Sequence, residues 1–367
     1  MSLSIAIIGS RGYPSYYGGF ETAVRKLAPY LAERGHRVTV YGRAGTVRED
    51  DPSRDLRVRT VQTWGVESKM LSTLSHGLSS CLAARRLRPD VALVMNVANG
   101  YWLPALRTAG IPTLVNVDGI EWEREKWNSL AKSLFRTGAR LTARFGDELV
   151  YDSQAIKDRW ESEFGRAGLF IPYGGDFAGA NPVDSPFETG SYALLVARFV
   201  PENTIEEFFG AAEKIARTND VVLVGSAGYG GPLDESARRL ADSSPNVHWL
   251  GHVSDDGLLH SLWRNAGAYF HGHSVGGTNP ALVQAMALGA PVVARDTIYN
   301  REVLGDHGIF VKPRADEIAE VILDLLSDQR RQEDLRRTSV ERVRAAYTWD
   351  MVNGRYADAL ERLAGAR

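Results

Sequence analysis

Six short apolar runs, each followed by an amphipathic stretch, lead into a segment rich in Gly, Pro and Asp, and six more runs follow it. The first set is Ser4–Ile8, Arg37–Tyr41, Val91–Met95, Thr113–Val117, Glu148–Tyr151 and Leu169–Ile171. The second is Tyr192–Ala197, Val221–Val224, Val247–Leu250, Ala268–His271, Pro291–Ala294 and Ile309–Val311. Between the early runs, Glu21–Arg34, Lys69–Leu87, Lys126–Phe145 and Gln154–Glu163 read as helices, with Pro29 expected to kink the first. This alternation is the pattern of βα units feeding a parallel sheet whose strands are buried on both faces. It predicts an α/β chain of two doubly wound, Rossmann-like domains. Residues 1–172 form the first and 173–349 the second, joined through the Gly- and Pro-rich stretch Tyr173–Gly190. The stretch after Ala315 reads as almost wholly helical, and its end, 350–367, is expected to cross back and complete the first domain. In such sheets ligands bind beyond the carboxyl ends of the strands, and two facing domains would place the site in a cleft.

A length of 367 residues suits two domains, and a hydrophobic fraction of 44% supplies two cores. Cys81 is the one cysteine, which excludes a disulfide framework and a cysteine metal site and suits a reducing cytoplasm. The opening MSLSIAIIGS runs into a strand without a basic lead, so no secretory signal is expected. No apolar run approaches the ~20 residues that a membrane helix needs. The net charge of −2 conceals an asymmetry. Residues 1–170 hold 24 Lys+Arg against 18 Asp+Glu, a balance of +6, and the remainder holds 19 against 27, a balance of −8. The halves are expected to meet different partners. No basic aromatic platform marks a nucleic-acid protein.

Residues 271–293, HGHSVGGTNPALVQAMALGAPVV, carry the densest chemistry. They read as a strand end, a Gly-rich loop and a helix that starts at Pro280 behind the cap residue Asn279. Gly276 and Gly277 leave backbone amides bare, so the loop and the helix dipole converge on an anion such as phosphate. The first strand exits into GSRGYPSYYGGFET, in which Gly9, Gly12, Gly18 and Gly19 do not have the spacing of a dinucleotide fingerprint. That argues against a nicotinamide enzyme. Gly18 and Gly19 precede a helix and offer a second set of bare amides. In VARFVPENTIEEF, Arg198 ends a strand and can grip phosphate bidentately, and Asn203 is expected to cap the next helix. Asn96 and Asn99 sit at another strand end, where they either bind sugar hydroxyls or build a turn. His271 and His273 lack a Cys or carboxylate at metal-site spacing, so no metal is expected there. Lys132, Arg136, Arg140 and Arg144 recur every fourth residue and line one helix face. With Leu130, Leu134, Leu141 and Phe145 beside them, they read either as a surface for anionic lipid or as a solvated face.

Together the strings IAIIGSRGYPSYYGGFET, NVDGIEWEREKW, YDSQAIKDRW, FIPYGGD, VARFVPEN and HGHSVGGTNPALVQAMA resemble retaining glycosyltransferases of the GT-B fold, family 4. The similarity is greatest to the rhamnosyltransferase branch of bacterial polysaccharide assembly. The resemblance implies a nucleotide-sugar donor held mainly by the second domain and an acceptor held mainly by the first. It implies dTDP-rhamnose as donor, a lipid-linked saccharide acceptor, and action at the cytoplasmic face of the membrane. No cofactor and no essential metal are implied. By position, Gly18, Gly19 and Arg198 would meet the donor diphosphate. Gly276, Gly277, Thr278 and Asn279 would hold phosphate and sugar hydroxyls. Asn116, Asp118 and Glu121 fall at the acceptor side, with Asp118 or Glu121 orienting the acceptor hydroxyl or taking its proton. Their other reading is a helix cap and a surface carboxylate. Many relatives carry a Glu, seven residues, and a second Glu across the loop, where this chain has Gly276 and Gln284. The second Glu would accept from ribose hydroxyls, whereas Gln284 offers one acceptor oxygen and no charge. Asn203 stands where many relatives use a phosphate-binding Lys. UDP- or GDP-sugar donors, and a weakly active sugar-nucleotide binder, are the alternatives these departures leave open.

Overall fold

The computed structural model describes residues 2–366 apart from 17, 48–49, 67–70, 125–126, 178–183 and 229. The expected helix starts at Lys69 and Lys126, and the middle of the 173–190 connection, lie outside the described residues. By packing, the chain divides into two compact units, Met1–Tyr173 with Trp349–Arg367, and Gly174–Thr348.

In the first unit seven parallel strands form one sheet. They are β1 (Ser4–Ile8), β2 (Arg37–Arg43), β3 (Arg59–Thr63), β4 (Val91–Met95), β5 (Thr113–Asn116), β6 (Glu148–Tyr151) and β7 (Leu169–Phe170). Their order is β3-β2-β1-β4-β5-β6-β7. The strand β3 has no counterpart among the apolar runs. Its sequence, RTVQT, lies at the sheet edge with no fully buried residue, so it shows no such run. Helix Gly19–Glu33 passes through Pro29 without interruption and presents Val24, Leu27 and Leu31 to the sheet. Helix Trp349–Gly365 is the last in sequence, yet it belongs here. Its Val352, Tyr356 and Leu360 join Ile5, Leu93 and Leu27 in one core. Fully burying each such side chain stabilises the unit by about 1.5–3 kcal/mol.

The second unit has six parallel strands, β8 (Ala193–Val196), β9 (Val221–Val224), β10 (Val247–Gly251), β11 (Ala268–His271), β12 (Val292–Arg295) and β13 (Ile309–Val311). Their order is β10-β9-β8-β11-β12-β13. Successive residues feed opposite faces. Leu195, Leu223 and Phe270 pack under the helices Ile205–Ile215 and Ala315–Ser327. Leu194, Val222 and Tyr269 pack under Asp256–Asn265 and Pro280–Ala287. This double burial is why these strands read as continuous apolar runs. Helix Gln329–Ala346 fastens the unit through arginines. The Arg336 guanidinium donates to the carbonyls of Arg264, Ala266 and Gly289, which end two helices. Arg342 does the same for Glu302 and Val303 at the end of Ile298–Leu304. Cations at helix carboxyl ends satisfy orphan carbonyls and complement the dipole.

Candidate active site

Both strand orders reverse direction once, between β1 and β4 and between β8 and β11. The carboxyl ends of those neighbours form the switch points where α/β sheets bind ligands.

At the second unit's switch point, β8 delivers Arg198, exposed and without a carboxylate partner among the described residues. The neighbouring β11 delivers the loop 272–279. Asn279 caps helix Pro280–Ala287 as expected, with its side chain accepting from the Ala281 amide at 2.9 Å. Gly276 takes φ = +94°, a left-handed conformation that a glutamate there would adopt only under strain. Thr278 is buried. Ser274 ties the loop to the Glu202 carbonyl through its amide and hydroxyl, both at 2.9 Å.

Asn203 does not cap a helix. Thr204, at φ = +56°, occupies that position before Ile205–Ile215. The Asn203 amide group instead bridges two loops. Its nitrogen donates to the Arg198 carbonyl at 2.8 Å, and its oxygen accepts from Nδ1 of His273. That pairing requires the imidazole hydrogen to sit on Nδ1. This neutral residue thus organises the loops and adds no charge.

Gln284 also departs from expectation. Its oxygen accepts from the Asp176 amide at 3.0 Å, and its nitrogen donates to the Asp176 carbonyl at 2.9 Å. Both ends of the amide serve the backbone, so this side chain works as a clamp on the segment entering the unit. His271, at the end of β11, is buried with Nδ1 3.1 Å from the Tyr269 hydroxyl. Burial pushes its imidazole down to about 3, so it is neutral at physiological pH.

At the first unit's switch point, Gly9 takes φ = +97°, and a Cβ there would sit 2.3 Å from the Met95 carbonyl oxygen. Gly18 begins helix Gly19–Glu33 without a side-chain cap. The Glu21 carboxylate lies over this start, accepting from the Arg11 amide at 3.0 Å and passing 3.4 Å from a Cβ built on Gly18. A phosphate at Gly18 and Gly19 therefore meets a carboxylate that glycine spacing gives no sign of.

Of the residues expected on the acceptor side, Asn96, Asn116 and Asp118 come together at the ends of β4 and β5. Asn96 builds a turn, accepting from the Ala98 amide, and its nitrogen lies 3.2 Å from Asp118 Oδ2. Asn116 accepts from the Asp118 amide at 2.9 Å and holds that residue at φ = +63°. Asn99 turns away, donating to the Met95 carbonyl at 2.7 Å in full burial. Glu121 is engaged by partners of its own. One of its oxygens pairs with Arg124 at 2.7 Å and the other accepts from Trp127 at 2.9 Å, so it is a buried, paired group and not a surface carboxylate. Tyr173 is buried nearby. Its hydroxyl is held well above the usual tyrosine range by burial, then by the Asp118 and Asp152 carboxylates. Asp152 and Tyr173 lie in YDSQ and FIPYGGD, strings that gave no residue-level signal.

The basic stripe lies on helix Ser129–Phe145, capped by Asn128. Arg136, Arg140 and Arg144 are exposed and Lys132 is partly so. The face turned inward is Ala131, Gly138, Ala139 and Thr142 rather than the leucines. Leu130 is 66% exposed, beside partly buried Leu134, Leu141 and Phe145. Arg136 pairs with Glu163 at 2.9 Å. Among the described residues no helix is long and apolar enough to cross a membrane.

Two family models match in succession. Residues 18–174 match the glycosyl transferase 4-like domain, and residues 181–342 match glycosyl transferases group 1. A phosphatidyl-myo-inositol mannosyltransferase of Mycolicibacterium smegmatis is 32% identical over 254 residues, 65% of this chain and 64% of that protein. A GDP-mannose-dependent alpha-(1-6)-phosphatidylinositol monomannoside mannosyltransferase of Mycobacterium tuberculosis is 26% identical over 98% of both chains. Among solved structures, sucrose-phosphate synthase from Thermosynechococcus elongatus superposes with a TM-score of 0.81 at 19% identity over 100% of both chains. Anabaena HepE in complex with UDP gives 0.72 at 18% identity, covering 99% of this chain and 100% of that one. With two parallel-sheet Rossmann-like units of the GT-B kind, and a glycosyl transferase 4-like domain followed by a group 1 domain, this chain is a glycosyltransferase.

Proposed function

We propose that this enzyme is a retaining hexosyltransferase that takes L-rhamnose from dTDP-rhamnose. The acceptor is a lipid-linked saccharide at the cytoplasmic face of a membrane, in cell-surface polysaccharide synthesis. The observation that carries the donor reading is the Gln284 clamp. Both amide atoms are used by Asp176, and helix Pro280–Ala287 contains no Asp or Glu, so it presents no carboxylate to a ribose diol. A carrier without the 2′-hydroxyl asks for one acceptor fewer. A second reading, mannosyl transfer from GDP-mannose, is favoured by the names of the mycobacterial relatives.

Arg198 and the amides of Gly276–Asn279 receive the donor diphosphate and stabilise the charge that develops as the sugar leaves. The departing phosphate helps to deprotonate the acceptor hydroxyl on the same face of the sugar, which retains the anomeric configuration. Asp118, held by Asn96 and Asn116, orients that hydroxyl. The phosphate charge is met by arginine and amides, so no resident metal is needed. The exposed arginines of Ser129–Phe145 rest on anionic lipid, beside the lipid-linked acceptor.

The test is a thermal-shift series with dTDP, GDP, UDP and their sugars, in magnesium and in EDTA. A ligand of the folded state raises its stability. A shift with dTDP or dTDP-rhamnose that survives EDTA supports the first reading. A shift confined to GDP compounds transfers the conclusion to mannose. No shift with any of them at millimolar concentration overturns both.

A further inference from the structure

Arg295 ends β12, the strand next to β11 at the second unit's switch point. No sequence motif gives it a role. Its Nη1 donates to the Thr204 hydroxyl at 3.0 Å, and that hydroxyl donates to the Gly272 carbonyl at 2.6 Å. Thr204 is fully buried. The Arg295 carbonyl accepts from the Asn300 side chain at 2.8 Å, and the same nitrogen lies 3.0 Å from the His273 carbonyl. Asn300 is buried as well. Two buried polar side chains thus fix Arg295, by its guanidinium and by its backbone, against the loop that begins at Gly272.

No carboxylate neutralises this cation among the described residues. The nearest in sequence, Asp296, is held bidentately by Arg301 at 2.6 and 2.8 Å. The Thr204 hydroxyl occupies one corner of the guanidinium, and Arg295 is only partly buried. A guanidinium that is oriented in advance, uncompensated and partly open is built to receive an anion. Thr204 directly follows Asn203, whose amide joins the Arg198 carbonyl to His273, so the loop segment that carries Arg198 also meets Arg295.

We infer that Arg295 is a second diphosphate-binding cation of the donor site, acting with Arg198 and the Gly276–Asn279 loop. This rests on the nucleotide-sugar reading of that site. It assigns Arg295 to the phosphates and not to the base.

The test compares wild type, Arg295→Gln and Arg295→Lys by calorimetric titration with dTDP, GDP, UDP, thymidine and inorganic pyrophosphate, after thermal melts confirm folding. Arg295→Gln is expected to weaken pyrophosphate, and whichever nucleoside diphosphate binds wild type, by roughly 10- to 100-fold. Arg295→Lys is expected to retain part of the affinity, and thymidine binding should not move. If wild type binds these anions and Arg295→Gln binds them within twofold, the inference is overturned and the function stands. It is equally overturned if thymidine weakens as much as the diphosphates, because the change is then not specific to phosphate. If wild type binds none of the diphosphates, the donor-site reading falls and the role of Arg295 falls with it.

Discussion

The Asn116 side-chain nitrogen lies 2.6 Å from the Tyr356 hydroxyl, joining the end of β5 to a helix 240 residues later in the chain. The same asparagine accepts from the Asp118 amide, so the terminal helix and the Asp118 turn share one buried amide. Tyr356→Phe leaves the Asn116 donor without its partner. The expected loss is about 1–3 kcal/mol of stability. Chemical denaturation reads it, and an unchanged midpoint would mean that this bond does not help to dock the helix.

Arg198→Ala should leave the melting temperature nearly unchanged, since the side chain is exposed and makes no ion pair among the described residues. Donor turnover should fall by about 10²–10³-fold if Arg198 stabilises the leaving diphosphate. A steady-state assay of sugar transfer decides it. Turnover within a few-fold of wild type removes that role.

Gln284→Glu keeps an acceptor for the Asp176 amide but loses the donor to the Asp176 carbonyl. We expect a stability loss of about 1 kcal/mol and no gain in transfer from dTDP-rhamnose. A large gain instead would mean that the native glutamine impairs the enzyme. Improved binding of GDP or UDP alone would mark Gln284 as a filter against ribose.

Arg140→Gln combined with Arg144→Gln should weaken binding to vesicles containing phosphatidylserine by about tenfold or more, at about 1 kcal/mol per basic residue near the surface. Flotation at low and moderate salt measures this. Equal partitioning of variant and wild type would leave the stripe as a solvated face.

Acid should destabilise both units through histidines buried in the neutral form. His271 is held down at about 3 by burial. His76 is held at about 4 by burial and then by the positive charge of Arg43. In the unfolded chain each titrates near the ordinary 6.5, so between there and the folded value the unfolded state binds more protons. The stability they contribute is present above about pH 6.5 and is lost as pH falls toward 3–4. By pH 5 the loss is on the order of 2 kcal/mol per histidine. Melts from pH 7.5 to 5 test this, and His271→Gln should flatten the second unit's share of the slope.

Periodicity and turn chemistry in the sequence determined the two sheets, the Pro280 helix start, its Asn279 cap and the final helical stretch, because each is a local preference repeated along the chain. They also placed Arg198 at a strand end. Local pattern could not reveal β3, whose edge position requires no apolar run. Nor could it show what each polar side chain faces. Asn203 reads locally as a cap, but Thr204 turns left-handed and sends that amide to His273. Gln284 reads as a ligand contact until Asp176, 108 residues earlier, takes both its atoms. Glu121 and Asp118 are three residues apart, yet one is drawn into an ion pair with Arg124 and the other is held by Asn96 and Asn116. Arg295 gave no signal, because the bonds that hold it come from Thr204, 91 residues earlier, and from Asn300 in the helix that follows β12. A buried polar group must find a partner, and in a doubly wound sheet that partner is set by strand order rather than by distance along the chain.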